Sequence, residues 1–242
     1  MSRTKDEGRK IGRMTRTKDL DEGRKILDEG RKIGRKIVDE GQDEKTKKEM
    51  TKGGDEGQNS GQKNECSRTK HPRKTGWYVK SPCSCTYSYG PENDFGEKLF
   101  NVKPNLVDET PVFLEFWKYI EKVVGFTFNS CNVSYYGNEL AETGPHSDDE
   151  GIFLSKPKRK REPFQIVSVS LLSSREFELM HKTSGVRFSV WAGPFDILIM
   201  EGKFQWEFKH SVPQMHSSVG PRLNFTFRNI LTHKNCPLCA QN

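Results

Sequence analysis

The 242-residue sequence has no run of about 20 apolar residues, so no part of it is expected to cross a bilayer as a helix. It opens Met-Ser-Arg-Thr-Lys-Asp, without the hydrophobic segment of a secretory signal, and an intracellular protein is expected. On that expectation the six cysteines (Cys66, Cys83, Cys85, Cys131, Cys236 and Cys239) are read as reduced thiols rather than a disulfide framework. The first 75 positions hold few large apolar residues and no Phe, Tyr or Trp. Such a segment cannot bury enough surface to offset the entropy of ordering it, so residues 1–75 are expected to be a disordered charged tail.

That tail carries an imperfect repeat: Asp6-Glu7-Gly8-Arg9-Lys10, Asp21-Glu22-Gly23-Arg24-Lys25 and Asp28-Glu29-Gly30-Arg31-Lys32. Its short spacing and frequent glycine exclude a solenoid. The low mean hydropathy of −0.82 therefore averages two regimes, and the core belongs to the later one, placed at 76–231, with 232–242 as a flexible C-terminal tail. Net charge is +7, an excess that favours polyanions, with nucleic acid first among them.

A single helix stands out within the later region. Thr110 precedes Pro111 at the first helical position; Phe113, Phe116, Trp117, Ile120 and Val124 recur at helical spacing, and Gly125 ends the pattern. The rest alternates with period two, and strands are expected at 126–136, 165–171, 186–191, 195–200, 204–210 and 222–230. Many short strands with few helices predict an α+β architecture, a double-stranded β-helix (jelly roll) with helices on one side.

Pro145-His146-Ser147-Asp148-Asp149-Glu150 places a histidine and an aspartate on the same side of an extended segment. A distant strand can add His210, and two imidazoles with one carboxylate make the facial arrangement that holds Fe(II) with positions left open. In Pro221-Arg222-Leu223-Asn224-Phe225-Thr226-Phe227-Arg228, positions 222, 224, 226 and 228 share a strand face. Arg222 can grip a carboxylate bidentately, with Arg228 nearer the metal and Asn224 and Thr226 beside them.

Taken together, His146-x-Asp148, His210 and the Arg222…Arg228 strand resemble the AlkB family of nucleic-acid dealkylating dioxygenases, in its eukaryotic DNA-repair branch. Supporting stretches are Ile166–Leu171, Arg175-Glu176-Phe177 and Gly193–Met200, so the likeness spans about 77–231. The resemblance implies that His146, Asp148 and His210 bind Fe(II), and that Arg222 and Arg228 bind 2-oxoglutarate. Tyr136 stands at the family's co-substrate tyrosine, and Ser134 where the family has asparagine, with Asn132 two residues further back. Asp149 and Glu150 correspond to residues that read a base edge.

Trp77, Tyr87 and Tyr89 are candidates to stack on a flipped base. The run Lys156–Arg161, with Lys158 and Arg159 at its centre, is read both as a phosphate grip and as a nuclear import signal. The implied reaction is oxidative demethylation of N1-methyladenine- or N3-methylcytosine-type bases in DNA by a nuclear monomer. 2-Oxoglutarate and O2 are consumed, and succinate, CO2 and formaldehyde are formed. Alternatives are an RNA demethylase or other 2-oxoglutarate oxygenase, and a non-catalytic jelly roll that binds nucleic acid. Cys236-x-x-Cys239 is half a zinc site, for which Cys83-Ser84-Cys85 makes a poor second half, so a reduced tail is expected there.

Overall fold

The computed structural model describes residues 73–92, 98–153, 164–233 and 236–237. The repeat tail through residue 72 and the basic run Lys156–Arg161, Lys158 and Arg159 included, lie outside the described residues. The chain order is β1 (Lys74–Val79), β2 (Tyr87–Glu92), β3 (Lys98–Val102), β4 (Pro104–Leu106), α1 (Pro111–Val124), β5 (Ser130–Tyr136) and β6 (Thr143–His146). There follow β7 (Phe164–Leu172), β8 (Arg175–His181), β9 (Arg187–Ala192), β10 (Ile197–Gly202), the single turn α2 (Phe204–Glu207), β11 (Phe208–Val212) and β12 (Arg222–Arg228).

A six-stranded sheet runs β10-β7-β12-β5-β1-β4, a four-stranded sheet runs β6-β11-β8-β9, and β2 pairs with β3. All pairings are antiparallel except β1 with β4. Two sheets with a helix on one side is the architecture expected.

The helix forms as its pattern predicts. Phe113, Phe116, Trp117 and Ile120 are buried, and Gly125 closes the helix at φ 76°, a left-handed conformation suited to glycine. The Thr110 side chain makes no capping hydrogen bond, so the start rests on Pro111 and on packing.

Strand β12 organises the core. Every one of its residues is buried, yet its two faces differ in kind. Leu223, Phe225 and Phe227 join Val167, Val169, Leu171, Cys131 and Val133 against α1. The alternate residues Arg222, Asn224, Thr226 and Arg228 line a cavity on the other side. A second apolar cluster includes Trp77, Tyr87, Phe153, Phe177, Met200 and Val212, of which Tyr87, Phe177, Met200 and Val212 line that cavity.

Three expectations need correction. The folded region starts earlier than 76, because β1 begins at Lys74 and Arg73 already lines the cavity. Residues 204–210 are not one strand: Trp206 N and Glu207 N both donate to Lys203 O, winding a helical turn, and only Phe208 onward is extended. The turn is held because Gln205 is fully buried and bonded to both Asp148 N and Met200 Sδ. Of the tail placed at 232–242, Thr232 is buried and its amide, like that of Leu231, donates to Ile152 O.

Phe227→Ala should lower the unfolding free energy by about 3–5 kcal/mol, since it empties a site ringed by Trp117, Phe128 and Phe113. Val186→Ala, at an exposed position, should stay within about 0.5 kcal/mol. Urea unfolding with unchanged m-values checks both.

Candidate active site

The register of the small sheet makes the site. His210 on β11 stands opposite His146 at the end of β6, and Asp148 follows two residues beyond that strand. Two side chains 64 positions apart are thereby brought ring to ring, with centroids 4.3 Å apart. His146 Nε2 lies 3.7 Å and His210 Nε2 3.6 Å from the Asp148 carboxylate. One ligand atom from each of the three residues falls within 4.8 Å of the others.

The protonation states suit a cation. His146 Nδ1 is 2.8 Å from Gly144 O, so that nitrogen carries the proton and donates it, leaving the Nε2 lone pair toward Asp148. Burial pushes the His210 imidazole down to about 3, with the neighbouring His146 adding to the effect, and burial also lowers His146. Burial is the largest single influence on Asp148 and would raise it, but Arg228 foremost, together with His210, His146 and Arg73, outweighs it, and the carboxyl sits below its ordinary range.

Asp148 is 1 % exposed, and neither of its oxygens accepts a hydrogen bond among the described residues. Its Oδ1 is 3.0 Å from Arg228 Nη2, a charge contact out of line for a hydrogen bond. A buried carboxylate with open lone pairs beside two neutral imidazoles fits a divalent cation. The donor set, one oxygen and two nitrogens, suits Fe(II) in a three-ligand facial arrangement.

Arg222 presents the counterpart of opposite sign. Its Nη2 donates to Ser170 Oγ at 2.8 Å and Asn224 Oδ1 at 2.7 Å, while Nε and Nη1 are buried without a hydrogen-bond partner among the described residues. Nε and Nη1 point to opposite sides of the guanidinium, and the two open N–H groups of Nη1 can receive a carboxylate oxygen. Asn224 therefore orients Arg222: its Oδ1 also accepts from Ser168 Oγ and its Nδ2 donates to Thr226 Oγ1.

Tyr136 lies under Arg222 and bonds Thr143 through its hydroxyl at 2.9 Å. Burial would raise that phenol, but Arg73 and Arg222 outweigh it and lower it. Ser134 and Asn132 both line the cavity, and the buried Asn132 Oδ1 has no hydrogen-bond partner among the described residues.

The base-stacking candidates fare differently. Trp77 is wholly buried and donates to Cys85 O, so it cannot meet a base. Tyr87 is buried and stacked with both Trp77 and Tyr89; its hydroxyl donates to Glu150 Oε1 at 2.8 Å and accepts from Arg228 Nη1 at 3.0 Å. It is thus a strut between the acidic turn and Arg228, not a stacking platform. Tyr89 remains half-buried on the cavity wall. Asp149 is exposed and 3.8 Å from Lys182, whereas Glu150 turns back on Tyr87, its carboxyl raised by burial.

Arg73 was missed because it sits at the edge of a charge-rich tail. Its only sequence signal is its closeness to Gly76-Trp77-Tyr78-Val79. Arg175 is structural: it donates to the carbonyls of Asn138, Ala141 and Pro213 and so holds the turn that leads into β6.

The depressed imidazoles set a pH dependence. Below about pH 6.5 the unfolded histidines take up protons that His210 refuses down to about pH 3, so metal-free stability must fall with falling pH. The expected slope between pH 6.5 and 5 is up to about 1.4 kcal/mol per pH unit for each such histidine. His210→Gln should flatten it, as urea unfolding at each pH would show.

Comparison with known proteins agrees with this geometry. The sequence model described as the 2OG-Fe(II) oxygenase superfamily matches residues 36–228. The cattle and human proteins called alpha-ketoglutarate-dependent dioxygenase alkB homolog 3 are each 32% identical over 170 residues, covering 66% of this chain and 52% of theirs. The human DNA oxidative demethylase ALKBH2 is 31% identical over 133 residues, covering 51% of this chain and 48% of its own. The chain therefore spans about half the length of these relatives. With the matched residues carrying both the His-Asp-His cluster and the arginine strand, the chain belongs to the 2OG-Fe(II) oxygenase superfamily, and within it is similar to the AlkB homologues.

Proposed function

We propose that the protein removes N-methyl groups from alkylated nucleobases of the N1-methyladenine and N3-methylcytosine type, acting on DNA in preference to RNA. The observation that carries this reading is the cavity of about 520 Å³ onto which His146, Asp148, His210, Arg222, Asp149 and Tyr89 all open. It combines a cation site, an anion site and an exposed carboxylate in one recess.

Bound iron, with 2-oxoglutarate and O2, supplies the oxidation: one oxygen atom enters an N–CH3 group as N–CH2OH, and the other leaves in succinate alongside CO2. The hydroxymethyl product then loses formaldehyde, which restores the base. His146, Asp148 and His210 would hold the metal, and the Gly144 carbonyl fixes the His146 tautomer. Arg222, oriented by Asn224 and Ser170, would hold the far carboxylate of 2-oxoglutarate, with Tyr136 over its guanidinium. Arg228 keeps Asp148 ionised, and Tyr87 carries that constraint on to Glu150.

Methylation at N1 of adenine or N3 of cytosine makes the base cationic. Asp149, exposed on the cavity rim with only a 3.8 Å contact to Lys182, is the carboxylate placed to favour that charge, with Tyr89 on the cavity wall to meet the base. The base must leave its stack to enter, at a cost of about a few kcal/mol that a single strand reduces. Nucleic-acid binding through Lys158 and Arg159, and placement in the nucleus, rest on the basic run at 156–161.

With Fe(II), ascorbate and 2-oxoglutarate, methylated oligonucleotides should release formaldehyde, and His210→Ala should abolish release while salt-sensitive binding persists. Binding without turnover by the metal-loaded wild type would instead favour the non-catalytic reading. Asp149→Asn should reduce selectivity for cationic over neutral methylated bases by a few-fold to about tenfold, the value of a partly exposed charge contact. Unchanged selectivity would remove Asp149 from recognition, and faster repair of a methylated RNA panel than of DNA would reverse the DNA preference.

A further inference from the structure

A second cluster of metal-ligating side chains lies outside the cavity. Cys83 and Cys85, on the loop after β1, meet His233 and Cys236, from the segment that follows β12. These side chains come from opposite ends of the described domain, and one donor atom from each lies within 4.8 Å of the others. The His233 Nδ1 atom is 3.6 Å from Cys83 Sγ, 3.5 Å from Cys85 Sγ and 3.5 Å from Cys236 Sγ.

Hydrogen bonding does not account for that pattern. An imidazole nitrogen has one in-plane direction, carrying either a proton or a lone pair, so it makes one good hydrogen bond and not three. A tetrahedral zinc ion does account for it. Zn–S and Zn–N bonds of about 2.3 and 2.05 Å at tetrahedral angles separate sulfur from nitrogen by roughly 3.5–3.6 Å. All three observed distances agree.

Backbone hydrogen bonds deliver both halves independently of any ion. Leu231 N and Thr232 N donate to Ile152 O, fixing the chain just before His233, and Cys83 N donates to Lys80 O. Cys85 N points at Cys83 Sγ at 3.5 Å, as an amide stabilising a thiolate ligand would. Cys83 and Cys85 are buried, and none of Cys83, Cys85 and Cys236 is in a disulfide.

The geometry points to a structural zinc site formed by Cys83, Cys85, His233 and Cys236, closed to substrate because all four positions come from protein. Its role is to tie the end of the domain to the loop that supports the cavity wall. The Cys85 carbonyl accepts from Trp77 Nε1, Trp77 stacks on Tyr87, and Tyr87 bonds Arg228 and Glu150.

The test is zinc analysis of the full chain after a chelator wash and reconstitution. His210→Ala should retain one tightly held zinc per chain, which separates this site from the cavity cluster. Cys85→Ser and His233→Ala should each lose it, and Cys239→Ser should keep it. In wild-type protein, Co(II) should give the thiolate charge-transfer and ligand-field bands of a tetrahedral site, and zinc should slow the reaction of three thiols with a thiol reagent. Failure of reconstituted wild type to hold zinc, or full content in Cys85→Ser, would overturn the proposal. Loss in Cys239→Ser with retention in His233→Ala would overturn this set of ligands.

Discussion

The buried carboxylate of Asp148 is the constraint on which the site depends. An ionised carboxylate placed in a protein interior without hydrogen bonds costs several kcal/mol, and the usual remedy is protonation. Here Arg228, itself buried, stands 3.0 Å away and keeps the group charged. The two imidazoles are kept neutral chiefly by burial, to which the Arg228 charge adds in the same direction. The result is a charged oxygen and two lone pairs facing one point, already in the state that a divalent cation requires. Arg228 is held in turn by Tyr87 and lies over Phe153, so the electrostatics of the site are anchored in the second apolar cluster.

Strand β12 connects this chemistry to the fold. Its apolar face forms the core with α1, while its polar face supplies both Arg228 beside the cation site and Arg222 with its open Nη1 donors. Such a strand is tolerable only if its polar side is met by compensating groups. Asn224, Ser168, Ser170 and Thr226 meet part of the need. The nitrogens left over on Arg222 mark the place where a bound anion completes the network.

Much of this was legible in the sequence, for a physical reason. Period-two alternation in 222–228 reports directly which residues share a face, and the helical spacing of Phe113, Phe116, Trp117 and Ile120 reports the buried stripe. His146 and Asp148 are close in sequence, so their convergence needed no knowledge of the fold. What escaped was decided by distant partners. The alternation of 204–210 looked extended, but the buried amide of Gln205 bonding Asp148 pulls four residues into a turn. Tyr87 looked like a platform, and only the positions of Trp77, Glu150 and Arg228 make it a strut. Cys83 and Cys85, with one residue between them, gave weak spacing for a metal site, and their nearness to His233, some 150 positions away, is a property of the fold.

The most direct test of the central claim is calorimetric titration of 2-oxoglutarate into the protein without oxygen, with and without a divalent metal in the cavity. The account predicts one diacid per chain, metal-dependent binding, and a loss of about tenfold or more in affinity in Arg222→Met. Equal affinity with and without metal, or unchanged affinity in Arg222→Met, would contradict it.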